Sequence, residues 1–136
     1  MLKPVSPLAA KVAASSVLAF AVMALAACSN AEADLDGNLE ISGSEPAYWA
    51  VQVEREANKS LISILGEASF EGEAPVKSRG GAGAFLLTSK TAQGDFVMTV
   101  TQKECFDGLA ETAKPWSVTA TWKGEILNGC ALPRQP

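Results

Sequence analysis

Histidine is absent from this 136-residue chain, which removes the commonest general base and the commonest transition-metal ligand. Catalytic triads built on imidazole are excluded outright. Cysteine is scarce: Cys28, Cys105 and Cys130 are the whole complement, and no two stand in the close C-x-x-C spacing that redox centres use. Basic residues are in the minority, 11 Lys plus Arg against 15 Asp plus Glu. An acidic surface repels phosphate backbones and anionic headgroups, so nucleic acid and an electrostatically held membrane are poor partners. A cationic protein or a small ligand remains open. No G-x-S-x-G elbow or S-x-x-K context accompanies the serines, and Gly80, Gly81 and Gly83 lack the lysine of a phosphate loop. The expectation is a non-enzyme that requires no cofactor.

The longest apolar run lies at the start. Residues 1–11 are weakly basic, and from Val12 to Ala27 only Ser15 and Ser16 interrupt small or apolar residues, which is signal-peptide anatomy. The run is shorter than the about 20 residues a membrane-crossing helix needs. It ends in Leu25-Ala26-Ala27-Cys28, which resembles the lipobox of bacterial lipoproteins, where a diacylglycerol thioether forms on the cysteine before cleavage ahead of it. Ordinary secretion is the rival reading, because Ala24-Leu25-Ala26 is itself an A-x-A signal.

Cysteine arithmetic favours lipidation: an exported chain with an odd count must explain one thiol, and modification of Cys28 leaves Cys105 and Cys130 as one pair for an oxidising compartment. Residues 1–27 are therefore expected to be a lipoprotein signal peptide and residues 28–37 a lipid-anchored tether. Ser29 stands where inner-membrane lipoproteins often carry aspartate, and that resemblance implies an outer-membrane anchor facing the periplasm. Removing 27 residues leaves 109. Because Lys3 and Lys11 lie in the leader, nine cations then face fifteen anions, a net charge of −6.

Beyond the tether, short runs alternate with period two between Gly, Pro and Asn, the pattern of antiparallel strands. Residues 116–122 are the clearest, with Trp116, Val118, Ala120 and Trp122 on one face. Residues 96–102 and 49–54 repeat the pattern, and further strands are expected at 39–42, 60–65, 67–72, 83–89 and 125–130. Lys123-Gly124 suits a tight hairpin, Ser78 to Gly81 reads as a flexible turn or bulge, and residues 104–112 have room for a helical turn or two. The fold class is all-β: a small antiparallel barrel or sandwich of about seven or eight short strands with one disulfide, spanning 38–133 before a short tail at 134–136.

Three constellations could carry function. Asp34, Asp36, Asn38 and Glu45 fall at oxygen-ligand positions of an EF-hand-like calcium loop, but Leu39 occupies the turn glycine's position and the flanking helices are absent. Asp107 and Glu111 have the spacing of one helical face and are candidate paired carboxylates for a hydrolase, against the simpler reading of solvated charges. Trp49, Trp116 and Trp122 are expected in the core, with ligand lining in a barrel mouth as the sharper alternative.

Three blocks together carry a wider likeness: Gly43-Ser44-Glu45-Pro46 leading to Trp49, Cys105-Phe106-Asp107-Gly108-Leu109 followed by Lys114-Pro115-Trp116, and Leu127-Asn128-Gly129-Cys130-Ala131. They resemble an uncharacterised family of bacterial envelope proteins and lipoproteins with a G-x-E-P-x-W entry, a C-x-D-G-M segment and an L-x-G-C-A end. The chain departs from it in having both Ala47 and Tyr48 before Trp49, and Leu109 where methionine is commoner. The likeness implies a Cys105–Cys130 disulfide in a small all-β domain and supplies no activity. The resulting expectation is a lipid-anchored envelope protein whose non-catalytic domain binds a ligand or a protein, in its most pointed form a lysozyme inhibitor, with a carboxylate hydrolase and a calcium-dependent adhesion module as alternatives.

Overall fold

The computed structural model describes residues 31–135; Cys28 and the leader lie outside the described residues. The chain divides into two units, residues 1–33 and Asp34–Pro136. Of the first, only residues 31–33 are described, and they are helical. The second is a β domain of nine strands: β1 Leu39–Glu45, β2 Trp49–Glu54, β3 Lys59–Ile64, β4 Phe70–Gly72, β5 Val76–Arg79, β6 Ala84–Thr91, β7 Gly94–Cys105, β8 Lys114–Trp122 and β9 Glu125–Pro133.

All pairings are antiparallel. Eight strands close into a barrel in the order β1-β2-β3-β4-β6-β7-β8-β9, with β9 returning to β1, while β5 adds to β6 outside the ring. Short meander connections with alternating in-and-out residues are what such a barrel requires. At the β8–β9 hairpin, Lys123 and Gly124 both have positive φ, 49° and 80°, as a two-residue turn matched to strand twist demands.

The β4–β6 seam is the weak point of closure, since one bridge, Gly72 to Thr91, joins these strands. Beside it the Glu73 amide donates to the Lys90 carbonyl at 2.8 Å. The Glu73 carbonyl accepts from Ser60 Oγ at 3.1 Å and Ser89 Oγ at 2.5 Å. Both serines are buried, and the shared carbonyl satisfies them, as buried hydroxyls require.

The interior is filled. Trp49, Trp116 and Trp122 are 0%, 1% and 4% exposed; Trp49, Phe96, Trp122 and Phe70 form one aromatic series and Trp116 pairs separately with Phe85, at centroid separations of 5.1–6.3 Å. The ligand-lining alternative for the three tryptophans is thereby corrected, because no indole face is open to solvent. Trp122 Nε1 is buried without a hydrogen-bond partner.

Two sequence expectations shift. Residues 78–79 do not belong to a flexible turn; they end strand β5, which pairs Val76–Arg79 with Phe85–Thr88. The folded unit also begins earlier than residue 38. Asp34–Asp36 form a 3-10 turn with Leu35 fully buried, and Arg55 holds it by donating to the carbonyls of Leu35 at 2.6 Å and Gly37 at 3.1 Å. A third bond, to the Pro75 carbonyl at 2.6 Å, ties the same guanidinium to the β4–β5 connection. One rigid fork suits several carbonyls at once.

Candidate functional site

On the outer wall of the barrel, the sequence blocks that carry the motifs converge. The β7–β8 connection does not project from the barrel end; it folds back across β9 and β1. The Cys105–Cys130 disulfide anchors its start, with Cα atoms 5.7 Å apart. Ser44 Oγ donates to the Asp107 carbonyl at 3.0 Å. Asp107 Oδ1 accepts from the amides of Leu109 at 2.9 Å and Ala110 at 3.3 Å, closing an Asx-type turn.

Beneath the loop lies a buried polar cluster. Asp107 Oδ2 is 2.5 Å from Lys114 Nζ, and both groups reach Ser42 Oγ, at 3.3 Å and 3.2 Å. Burial pushes the Asp107 carboxyl upward, but Lys114 and the two amides outweigh that and hold it below the usual carboxylate range. A serine beside a lysine has the outline of a Ser-Lys nucleophile. The chemistry does not follow, because an ammonium that donates to a carboxylate has no lone pair with which to take the serine proton.

The expected carboxylate pair is also not assembled. Asp107 is committed beneath the loop, whereas Glu111 stands in solvent. The predicted helical turn at 104–112 is replaced by irregular chain after Cys105; the disulfide and the Asx turn together dictate that path.

The calcium constellation is pulled apart by β1. Asn38 immediately precedes the seven-residue strand β1 and Glu45 ends it, which puts them roughly 20 Å apart at strand rise. Asn38 Oδ1 is occupied by the Arg55 amide at 2.8 Å, and Asp36 pairs with Lys77 at 3.0 Å. No group of three acidic or cysteine side chains is gathered for a metal among the described residues.

Glycine makes the convergence possible. A Cβ on Gly129 would strike the Ser42 carbonyl, and one on Gly43 would strike the Asn128 carbonyl and come within 2.5 Å of Trp49 Nε1. With both positions bare, β1 and β9 approach closely, and Trp49 Nε1 donates to the Asn128 carbonyl at 3.0 Å. The register shift between Ser42 and Glu45 falls at the same place. Sequence reasoning singled out these blocks as motifs without seeing that they meet; the signal was the pairing of small residues with the cysteine framework.

The loop leaves a cleft on each side. One, of about 370 Å³, is lined by Glu45, Phe106, Asp107, Ser117 and Asn128 among others. The second, of about 330 Å³, lies between the outer faces of β1 and β2 and the far side of the loop, lined by Glu40, Ser42, Tyr48, Gln52, Leu109 and Lys114 with Ala50 and Ala110. Between the clefts Phe106 and Leu109 stand 65% and 50% exposed. Neither a family profile, nor a curated protein, nor a solved structure matches the chain.

Proposed function

We propose that this chain is a lipid-anchored envelope protein, an outer-membrane lipoprotein modified at Cys28 and facing the periplasm, whose β domain is a non-catalytic binding module. The observation that carries the binding reading is the stapled β7–β8 loop on the outer wall. The barrel interior buries its aromatic side chains, whereas the loop is fixed by a disulfide, an ion pair and an Asx turn, and holds two exposed apolar side chains between two clefts. Preorganising a surface loop this way lowers the ordering cost of binding. Apolar anchors with a polar rim are the usual anatomy of a recognition surface. The likeness of the three convergent blocks to a family of envelope lipoproteins supports the same address.

Lipidation is tested by growing a bacterial host on labelled palmitate. The full-length chain should take up label and lose it in Cys28→Ser; an unlabelled wild-type chain would sink the anchoring claim. The lysozyme-inhibitor form rests on size and acidity, which suit a strongly basic enzyme. Lysozyme activity left unchanged by micromolar domain would rule that form out. The binding face itself is tested with amide NMR spectra, in which a bound partner must perturb residues 105–114 and the outer faces of β1 and β2.

A further inference from the structure

The cleft between β1, β2 and the loop has a composition that selects among ligand classes. Trp49 faces inward, so Ala50 and Gln52 face outward along β2, Tyr48 lines the same cleft just ahead of the strand, and on β1 Glu40 stands opposite Gln52 and Ser42 opposite Ala50. Ala50 makes a low floor. Tyr48, 46% exposed, forms one end, and the Glu40–Gln52 pair forms the other, with Cβ atoms about 5 Å apart in such a cross-strand pair. From Tyr48 to Gln52 the extended chain advances four residues, roughly 13 Å at strand rise, about the length of a disaccharide. Leu109 and Ala110 of the stapled loop form the long wall.

The polar groups are mixed in kind. Glu40 accepts, Gln52 both donates and accepts, and the Tyr48 hydroxyl does either, whereas Ser42 Oγ is already committed to Asp107 and Lys114. The one ammonium, Lys114, is already neutralised by Asp107. A phosphate-bearing ligand would meet the unpaired Glu40 carboxylate, and a strongly cationic peptide would meet only that one acid. A neutral polyhydroxyl ligand meets complementary groups throughout, and the Tyr48 ring, negative on its face, suits the CH face of a pyranose. Resting on the binding-module reading above, we infer that this cleft is a saccharide site, taking a neutral disaccharide unit with one pyranose on Tyr48 and the next hydroxyls on Glu40 and Gln52.

The test is an amide NMR titration of the mature domain with chitotetraose and with maltotetraose, each to millimolar concentration, and in parallel with lysozyme. Saturable shifts at Tyr48, Ala50, Gln52 and Leu109 with either sugar are expected. Tyr48→Ala should weaken that binding by at least roughly fivefold, and Tyr48→Phe should retain it. Near-UV circular dichroism checks that the variants fold, and Leu65 bonds only the backbone carbonyl of Tyr48, so truncation leaves that contact. Absence of shifts with both sugars overturns the saccharide site. If lysozyme alone perturbs the loop face, the saccharide site falls while the binding-module reading stands; sugar shifts confined to the barrel ends would overturn both this site and the loop as the binding face.

Discussion

The Asp107 carboxylate and the Lys114 ammonium meet at 2.5 Å beneath the β7–β8 loop, their side chains 1% and 13% exposed. Each satisfies a charge the other could not leave buried alone. Replacing Lys114 with Met strands the carboxylate, and breaking a buried pair in this way costs about 3–5 kcal/mol. Urea unfolding of Lys114→Met should show a loss of that size, and the double variant with Asp107→Leu should recover part of it. Full stability in the single variant would show that the pair holds nothing.

Acid should loosen the same loop. The Asp107 carboxyl is held below its ordinary value when folded, so its contribution is present above the unfolded value of about 3.9 and is lost as pH falls through the folded one. Unfolding midpoints measured from neutral pH downward should fall below about pH 4 more steeply in the wild type than in Asp107→Asn. Parallel curves would remove Asp107 from the acid response.

The close approach of β1 and β9 predicts a sharp intolerance. Gly129→Ala places a methyl against the Ser42 carbonyl and 2.9 Å from the Trp49 ring, and the cost should be at least about 3 kcal/mol because backbone cannot give way cheaply. Gly81→Ala, with no atom within 4 Å of the added carbon, is the control and should stay within about 0.5 kcal/mol. Equal thermal shifts for the two would contradict the packing described.

The disulfide closes 25 residues of chain, and constraining such a loop in the unfolded state is worth about 3.5 kcal/mol in the chain-entropy model. Cys105→Ser with Cys130→Ser should lower stability by roughly that amount. It should also speed amide exchange at Leu109 and Ala110 more than in β8, since the loop loses its anchor. Uniform acceleration across the barrel would mean the staple supports the whole fold rather than the site.

Local pattern carried far in this chain. Alternation at 49–54, 96–102 and 116–122 correctly put Trp49, Trp116 and Trp122 on inward faces, because a strand's side-chain period is set by its own backbone. Lys123-Gly124 named its turn for the same reason. Cysteine parity pointed to the pair that is bonded. The β5 strand was missed because Lys77 and Arg79 face an edge beside Gly80 and Gly81, where period and composition both read as turn. The start of the domain was misplaced because Leu35 is one apolar residue in an acidic run, and a single buried side chain has no period.

What the sequence by itself determined is therefore the class of the fold and the inward faces of its strands, since both follow from local sterics and hydrophobic burial. The tertiary structure alone decided closure into a barrel rather than a sandwich, through a seam of one bridge and one carbonyl shared by Ser60 and Ser89. It also decided the site. Asp107 meets Ser42 across 65 residues of chain only because the disulfide and the bare faces of Gly43 and Gly129 let a loop lie flat on the outer wall, and no periodicity encodes a contact between residues so distant in sequence.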